Sequence, residues 1–436
     1  MTVRELALRL LDEYEASGKY VNLSLSSHLT DNLGGKDRAY LTALLYTSVE
    51  KKLKYDYYIS ALAKRSIEKI DLHTKNILRL GLCQLLDMSS IPDFAAVSET
   101  VKLARHTGER SFVNGILRAA ARAKENGGLP TPDRTRDEAR YLSVEYSFPK
   151  STVKHFMSLY GGDGTEALLR AFADRRTLDL TVNTLKISKD AYLSLLEEQG
   201  IAAAPSKLSS ISVRIDTALP PRELPGYSEG YFFVQDEACA VSAEVLGTRY
   251  GETIADVCSA PGGKSFAAAI LSSDKGRVMA YDVHKSKLSL IENGRDRLGL
   301  SSVTVAARDA REPDSSLFGS FDRVICDVPC SGLGVLGKKP DLRYKEDVTP
   351  DLPELQYGIL SASFNYLKAG GTLVYSTCTL DPHENEEVAE RFLSEHTDAV
   401  PVDFTVGEYQ SSGGMITLLP NVHGTDGFFI AKLMKK

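Results

Sequence analysis

The chain has no tryptophan, and its six cysteines include no Cys-x-x-Cys pair. Thiols scattered at positions 83, 239, 258, 326, 330 and 378 argue against a disulfide framework and against a zinc knuckle. They suit a reducing compartment, and no metal is expected. Low-complexity tracts are absent, and so is any apolar run long enough to span a bilayer. The opening MTVRELALRLLDEYEAS mixes charged and apolar residues at helical spacing, without the unbroken apolar core of a signal peptide. A cytoplasmic protein with no membrane partner is expected. Excess positive charge is missing too. A net charge of −6 excludes a bulk electrostatic nucleic-acid binder.

That charge is uneven. Residues 1–145 carry 22 Lys/Arg against 19 Asp/Glu, which leaves the rest of the chain acidic. Between Lys102 and Lys124 stand six basic residues and one acid. Arg118 and Arg122, four apart, share a helix face there. Such a face is either solvated or a local patch for RNA.

At 436 residues the length suggests about three domains, each able to bury a core without staples. Residues 1–125 repeat apolar residues at three- and four-residue spacing, as in DRAYLTALLYTSVEKKLKYDYYISALAK and HTKNILRLGLCQLLDM. Pro92 interrupts, and AVSETVKLARH and SFVNGILRAAARAK resume the pattern. ENGGLPTPDRTRDEA is a linker by composition. The expectation is an all-α domain over 1–140, followed by a small α+β domain over 141–229. In the second, LDLTVNTLK and SSISVRID alternate like strands, while KSTVKHFMSLYG and DAYLSLLEEQGI read as helices. From 230 to 436, short β-type runs (ETIADVCS, GRVMAYDV, SVTVAARD, FDRVICDVP, GTLVYSTC) alternate with helical segments. That alternation predicts an α/β doubly wound parallel sheet, with DGFFIAKLMKK as a last strand.

Ligands of such sheets sit beyond the carboxyl ends of the strands. The first of these ends is ADVCSAPGGKSFAAAIL, where Pro-Gly-Gly leads into a helix whose free N–H groups and glycines admit close approach. A P-loop would need glycine where Cys258 stands, and GxGxxG is absent, so neither a P-loop nor a nicotinamide site is indicated. Asp282 closes the second strand nineteen residues after Gly263, the place of an acid that accepts ribose hydroxyls. Asp309 closes the third strand in the same way. A single strand-end Asp is as readily a helix cap; several behind a glycine turn favour a nucleoside cofactor.

Cys258 and Cys326 fall within apolar strands and read as small core residues, while Cys83 and Cys239 lie on apolar helical faces. Cys330 and Cys378 are different. Each follows a strand and leads into a polar loop, so two thiols would face one pocket. A free thiol with pKa about 8.5 is only a few per cent thiolate at neutral pH, and nearby Lys264 is a candidate for the electropositive niche that a reactive one needs.

CSAPGGK (Cys258–Lys264), DVPCSGLG and YSTCTLDPHENE resemble the S-adenosylmethionine-dependent RNA cytosine-C5 methyltransferases. LTVNTLK, FVQDEA and HGTDGFFIAKL are similar to the same family, and IPDFAAVSETVKLAR and SFVNGILRA to its NusB-like N-terminal domain. Together they resemble the RsmB (Sun, Fmu) branch, which methylates 16S ribosomal RNA. The resemblance implies a class I, Rossmann-like methyltransferase domain over 230–436 and a NusB-like domain over 1–140. By that resemblance Cys378 attacks C6 of cytosine, Cys330 helps to break the adduct, and Asp327 hydrogen-bonds the N3 edge, its pKa raised by burial. It assigns the cofactor cradle to Cys258, Ser259, Ala260, Pro261, Gly262, Gly263, Lys264, Asp282, Asp309 and Asp327. The target it implies is cytosine 967 in the family's naming, in 16S rRNA or an assembling small subunit, with the enzyme a monomer. Val328 stands for a usual Ala, Tyr344 for a usual Trp, and Gly337-Lys338-Lys339 for a usually Arg-containing stretch. A non-catalytic NusB-like assembly factor is the alternative from another class, and a cytosine-C5 methyltransferase acting on another RNA the alternative substrate. The intact Asp327, Cys330 and Cys378 speak against an inert domain. A DNA enzyme attacking with its Pro-Cys thiol would lack the second thiol, and an amino-methyltransferase would want an aromatic at Cys330.

Overall fold

Apolar spacing produces helices in the first part of the chain, as the sequence predicts. The computed structural model describes residues 1–17, 33–174, 177–217, 219–344 and 351–436. The chain packs as two units. One comprises residues 1–173 with the described residues from Lys338 to Tyr344; the other comprises 174–337 and the chain from 351 onward.

In the first unit the helix Leu72–Asp87 is central. It is buried almost all round from Thr74 to Leu85, the mark of a core helix rather than an amphipathic one. Asp71 caps its start by accepting from the Thr74 N–H at 3.1 Å. The helices Val3–Ser17, Gly35–Glu50, Lys52–Ala63, Asp93–Val101 and Thr107–Glu125 pack around it. Arg79 brings a buried charge into this core, and both Asp56 oxygens hold it at 2.7 Å with Glu15 at 3.1 Å. Pro92 sits at the N-cap of Asp93–Val101, where its fixed φ and missing N–H do no harm. Past an irregular stretch come the helix Glu138–Tyr146 and a helical run over Lys150–Asp174 broken at Gly161, φ 69°. The segment expected as one middle domain, 141–229, is therefore divided between the two packing units.

The second unit holds two sheets. The strands β1 (Leu178–Val182), β2 (Ala202–Pro205), β3 (Ser212–Asp216) and β4 (Phe232–Val234) form an antiparallel sheet in the order β2-β3-β1-β4. The helix Lys189–Glu198 contributes Tyr192 and Leu196 to its core. The larger sheet contains β5 (Thr253–Asp256), β6 (Arg277–Asp282), β7 (Val303–Ala307), β8 (Phe321–Asp327), β9 (Leu367–Thr377), β10 (Ala399–Pro401), β13 (Met415–Leu418) and β14 (Phe428–Lys435). A hairpin of β11 (Thr405–Val406) and β12 (Tyr409–Gln410) stands apart from it. β7, β6, β5, β8 and β9 run parallel in that spatial order, and β14 inserts antiparallel beside β9. The expected parallel sheet is thus a parallel core with an antiparallel edge. Ala238, Phe266 and Ile291 cover one face of the sheet, and Ile359, Phe364 and Phe392 the other. This double burial is why the middle strands read as unbroken apolar runs. The strand order reverses between β5 and β8, the switch point at which a crevice opens. Among the described residues no helix is long and apolar enough to cross a membrane.

Candidate active site

The crevice holds a cavity of about 430 Å³ lined by the ends of four parallel strands. Cys258 and Ala260 follow β5, Asp282 closes β6, Asp309 follows β7, and Asp327 closes β8; all of them line it. Cys258 lies in the turn two residues beyond β5 rather than within the strand as the sequence reading had it. Burial above all holds its thiol well above the usual range, so it contributes shape and no nucleophile.

Asp282 is 7% exposed, and its two oxygens accept from the Ala260 N–H at 3.1 Å and the His284 N–H at 2.8 Å. It therefore fixes the turn while its carboxylate faces the cavity. Asp309 is held by the Arg311 guanidinium, Nε lying 3.0 and 3.1 Å from its two oxygens, and this pairing first of all pulls its pKa below the usual carboxylate range. Exposed Val283 joins Leu355 and Ile359 as an apolar side of the cavity. Carboxylates at two strand ends beside an apolar wall form an acceptor set that suits the hydroxyls and apolar ring of a nucleoside.

Ser259, Pro261, Gly262, Gly263 and Lys264 form the turn from β5 into the helix Gly263–Leu271 instead of the cavity wall. Gly262 has φ 107°, a conformation that an L side chain rarely adopts, and an added Cβ would meet the Phe266 ring at 2.4 Å. Beneath the turn, Asp256 Oδ2 accepts from Ser265 Oγ at 2.7 Å, and Ser265 Oγ lies 2.9 Å from Ser259 Oγ. Burial foremost pushes Asp256 up to about 7. Lys264, 8% exposed, donates to Asp327 Oδ2 at 2.6 Å. Burial opposes its charge, but Asp327 and other anions hold its pKa well above that of an ordinary lysine. Ser376 donates to the other Asp327 oxygen at 2.7 Å. Asp327 keeps 29% side-chain exposure, and an ammonium and a hydroxyl are its partners.

The two singled-out thiols meet. Cys330 Sγ and Cys378 Sγ are 3.1 Å apart, and neither is in a disulfide. Backbone pairing brings them together: the Val328 N–H donates to Ser376 O at 3.1 Å, and the Gly334 N–H to Cys378 O at 2.9 Å. Cys330 is pushed well above the usual thiol value by its bond to Cys378 first, then by burial, then by the charges of Cys378, Glu384 and Asp327. Either sulfur can be the donor in this contact. Cys326 and Cys83 are buried in core, as their apolar settings suggested.

Sequence reasoning missed the residues that hold these loops. Glu384, Asn385 and Gln356 bond to backbone on either side of the thiols. Their only sequence signal was polar side chains in DPHENEE and in the apolar helix around Gln356. Arg343 and Tyr344, beyond the Pro-Cys loop, belong to the first unit, where the Arg343 guanidinium lies 4.0 Å over the Phe148 ring and Tyr344 Oη is 3.0 Å from Ser147 Oγ. A tyrosine in place of the family's tryptophan keeps an aromatic there and adds a hydroxyl partner.

The model for 16S rRNA methyltransferases RsmB/F matches residues 243–434. The NusB family model matches 1–122, and an RsmF/B-like ferredoxin-like domain matches 148–221. The chain is 36% identical over 452 residues to the probable ribosomal RNA small subunit methyltransferase B of Bacillus subtilis, covering 100% of this chain and 99% of that one. Its counterpart in Synechocystis is 36% identical over 450 residues, with 100% of each covered. Among solved structures, PH0851 shares 25% identity and a TM-score of 0.79 over 100% of this chain and 99% of its own. With relatives at this identity over its full length, and with all three models falling in chain order, the chain belongs to the 16S rRNA methyltransferase RsmB/F family.

Proposed function

We propose that the chain methylates C5 of a cytosine in 16S ribosomal RNA, in the cytoplasm and as a monomer, through a covalent bond between Cys378 and C6. The observation that carries this reading is the pair of sulfurs 3.1 Å apart next to Asp327, which also lines the cofactor cavity. C5 of cytosine is too poor a nucleophile to be methylated directly. When the Cys378 thiolate forms a bond to C6, the C5=C6 electron pair becomes available at C5, and negative charge moves toward N3. In its protonated form Asp327 donates to N3 as that charge develops, and the Lys264 ammonium, 2.6 Å from Oδ2, is the group that can supply the proton. S-adenosylmethionine, held by Asp282, Asp309 and the turn before Gly263, supplies the methyl group. In breakdown C5 gives its proton to water, the C5=C6 bond re-forms, and the C6–S electron pair returns to Cys378. The Cys330 S–H then donates to the departing thiolate. To reach this site the base must leave its stack.

The test is direct. Full-length protein with S-adenosylmethionine and 16S rRNA should yield 5-methylcytidine on nucleoside analysis, and bisulfite sequencing of rRNA from a deletion strain should show one cytosine newly convertible. Methyl transfer to another atom or base would overturn the reading.

Asp282→Ala should weaken S-adenosylmethionine binding. Removing a charge-assisted acceptor costs about 1.5–3 kcal/mol, roughly a ten- to 150-fold rise in Kd, and here it also frees the Ala260 and His284 N–H groups. Calorimetry showing unchanged affinity would take Asp282 out of the site.

RNA affinity is assigned to the helix Thr107–Glu125. Of its neighbourhood's basic residues, Lys102, Arg105 and Lys124 pair with Glu99, Asp71 and Asp93. Arg118 and Arg122 are exposed and form no ion pair among the described residues. Reversing both to Glu should lower RNA affinity and flatten its salt dependence by up to about two units of slope. Identical binding curves at every salt concentration would make this a solvated face.

A further inference from the structure

Two consecutive residues, Glu384 and Asn385, each hold one of the cysteine loops. Glu384 is 4% exposed, and its Oε2 accepts from the Ser331 N–H at 2.9 Å, next to Cys330. The same oxygen accepts from Gln356 Nε2 at 2.8 Å, and Gln356 Nε2 also donates to Pro329 O at 2.9 Å. The residues on both sides of Cys330 are thereby fixed by one carboxylate and one amide. Gln356 is fully buried, so water cannot replace it. Asn385, 1% exposed, does the same for the other loop: its Oδ1 accepts from Thr377 Oγ1, and its Nδ2 donates to Thr379 O at 3.1 Å, one residue either side of Cys378. The Tyr375 hydroxyl donates to Glu384 O at 2.6 Å and ties this corner to β9. Ser331 Oγ and Thr379 Oγ1, 2.7 Å apart, join the two loops directly.

We propose that Glu384 and Asn385 are positioning residues of the reaction, Glu384 acting through Ser331 and Gln356 to place the Cys330 thiol, and Asn385 acting through Thr377 and Thr379 to place Cys378. The inference rests on the C5 reading and deepens it. Because the two residues are adjacent but serve different thiols, they separate the two halves of the reaction. Glu384 has a second effect. Its charge, with those of Cys378 and Asp327, lies near Cys330 and favours the protonated thiol that breakdown uses, while Lys264 is engaged with Asp327.

Single-turnover assays with full-length protein, 16S rRNA and S-adenosylmethionine test this, by following adduct on denaturing gels and released product separately. In Glu384→Ala the C6 bond and methyl transfer should proceed within a few-fold of wild type, while release slows tenfold or more and a denaturation-stable complex accumulates. Asn385→Ala should show the opposite: adduct formation slows tenfold or more and no complex accumulates. Glu384→Gln keeps an acceptor oxygen for Ser331 and Gln356 and should largely restore release, with its pH profile displaced from wild type. S-adenosylmethionine affinity, measured by calorimetry, should be unchanged in all three, which also reports that they are folded. A merely structural role would slow both phases equally in both alanine variants, and that result overturns the proposal. If Cys330→Ala accumulates adduct and Glu384→Ala does not, the positioning role alone falls. If neither wild type nor Cys330→Ala forms 5-methylcytidine or adduct, the C5 reading itself falls.

Discussion

Cys378→Ala should form no RNA adduct and transfer no methyl group, whereas Cys330→Ala should form the adduct, transfer the methyl and then stall. The asymmetry follows from what each sulfur must do. Without a nucleophile C5 remains unactivated, and loss of an activating covalent step costs many orders of magnitude in rate. Without Cys330 the thiolate can still attack, but its departure loses the S–H partner 3.1 Å away. A protein–RNA complex that survives denaturing electrophoresis should appear with Cys330→Ala and vanish in the double variant. If that complex appears with Cys378→Ala instead, the roles are exchanged and attack comes from the Pro-Cys thiol. If both single variants keep full activity, the mechanism is wrong.

The places where these thiols stand were legible in the sequence because strands announce their ends. FDRVICDVPC and TLVYSTC are apolar runs that break into polar residues, and in a parallel sheet such breaks gather on one edge. The aspartates at 282, 309 and 327 were legible for the same reason. Direction was not. The run FFIAKLMK is as apolar as the parallel strands beside it, and only its pairing with β9, Phe429 opposite Thr377, makes it antiparallel. Partnership was hidden as well. Lys102, Arg105 and Lys124 counted toward a basic run, yet each pairs with an acid from 3 to 34 residues away in sequence. Asp327 has a partner 63 residues away, Lys264, that no local pattern announces. Glu384 and Asn385 carried no sequence role of their own, since their function is to bond backbone amides and carbonyls that any residues would supply. The division of 141–229 between two packing units was equally invisible, because helix and strand periods say which face is buried but not against what.

Backbone crowding at the site gives the second large effect, and it concerns a glycine with an ordinary φ. A Cβ built on Gly334 would lie 1.9 Å from Gly427 O, 2.5 Å from Gly427 C and 2.9 Å from Cys378 O. Every one of these atoms is backbone, so no side chain can swing aside. The Gly334 N–H donates to Cys378 O at 2.9 Å, and Gly334 O accepts from the Gly427 N–H at 2.8 Å, so the contact that would be forced apart is the one registering the two cysteine loops. Overpacking of this kind costs about 1–3 kcal/mol in stability, and two strained backbone hydrogen bonds add to it. Gly334→Ala should therefore lower the melting temperature by several degrees. It should also reduce adduct formation a hundredfold or more, because near-attack geometry tolerates little displacement. The cofactor cavity is lined by the ends of β5 to β8, and S-adenosylmethionine affinity should stay within a few-fold. Gly358, inside the helix Leu352–Phe364, is the matched control: nothing lies within 4 Å of its built Cβ. There the same change to alanine removes a helix-interior glycine and should stabilise by up to about 1 kcal/mol. Identical substitutions 24 residues apart are thus expected to shift the melting temperature in opposite directions. A Gly334→Ala protein with wild-type melting temperature and full adduct formation would mean that the Pro-Cys and Thr-Cys loops are not registered through this contact.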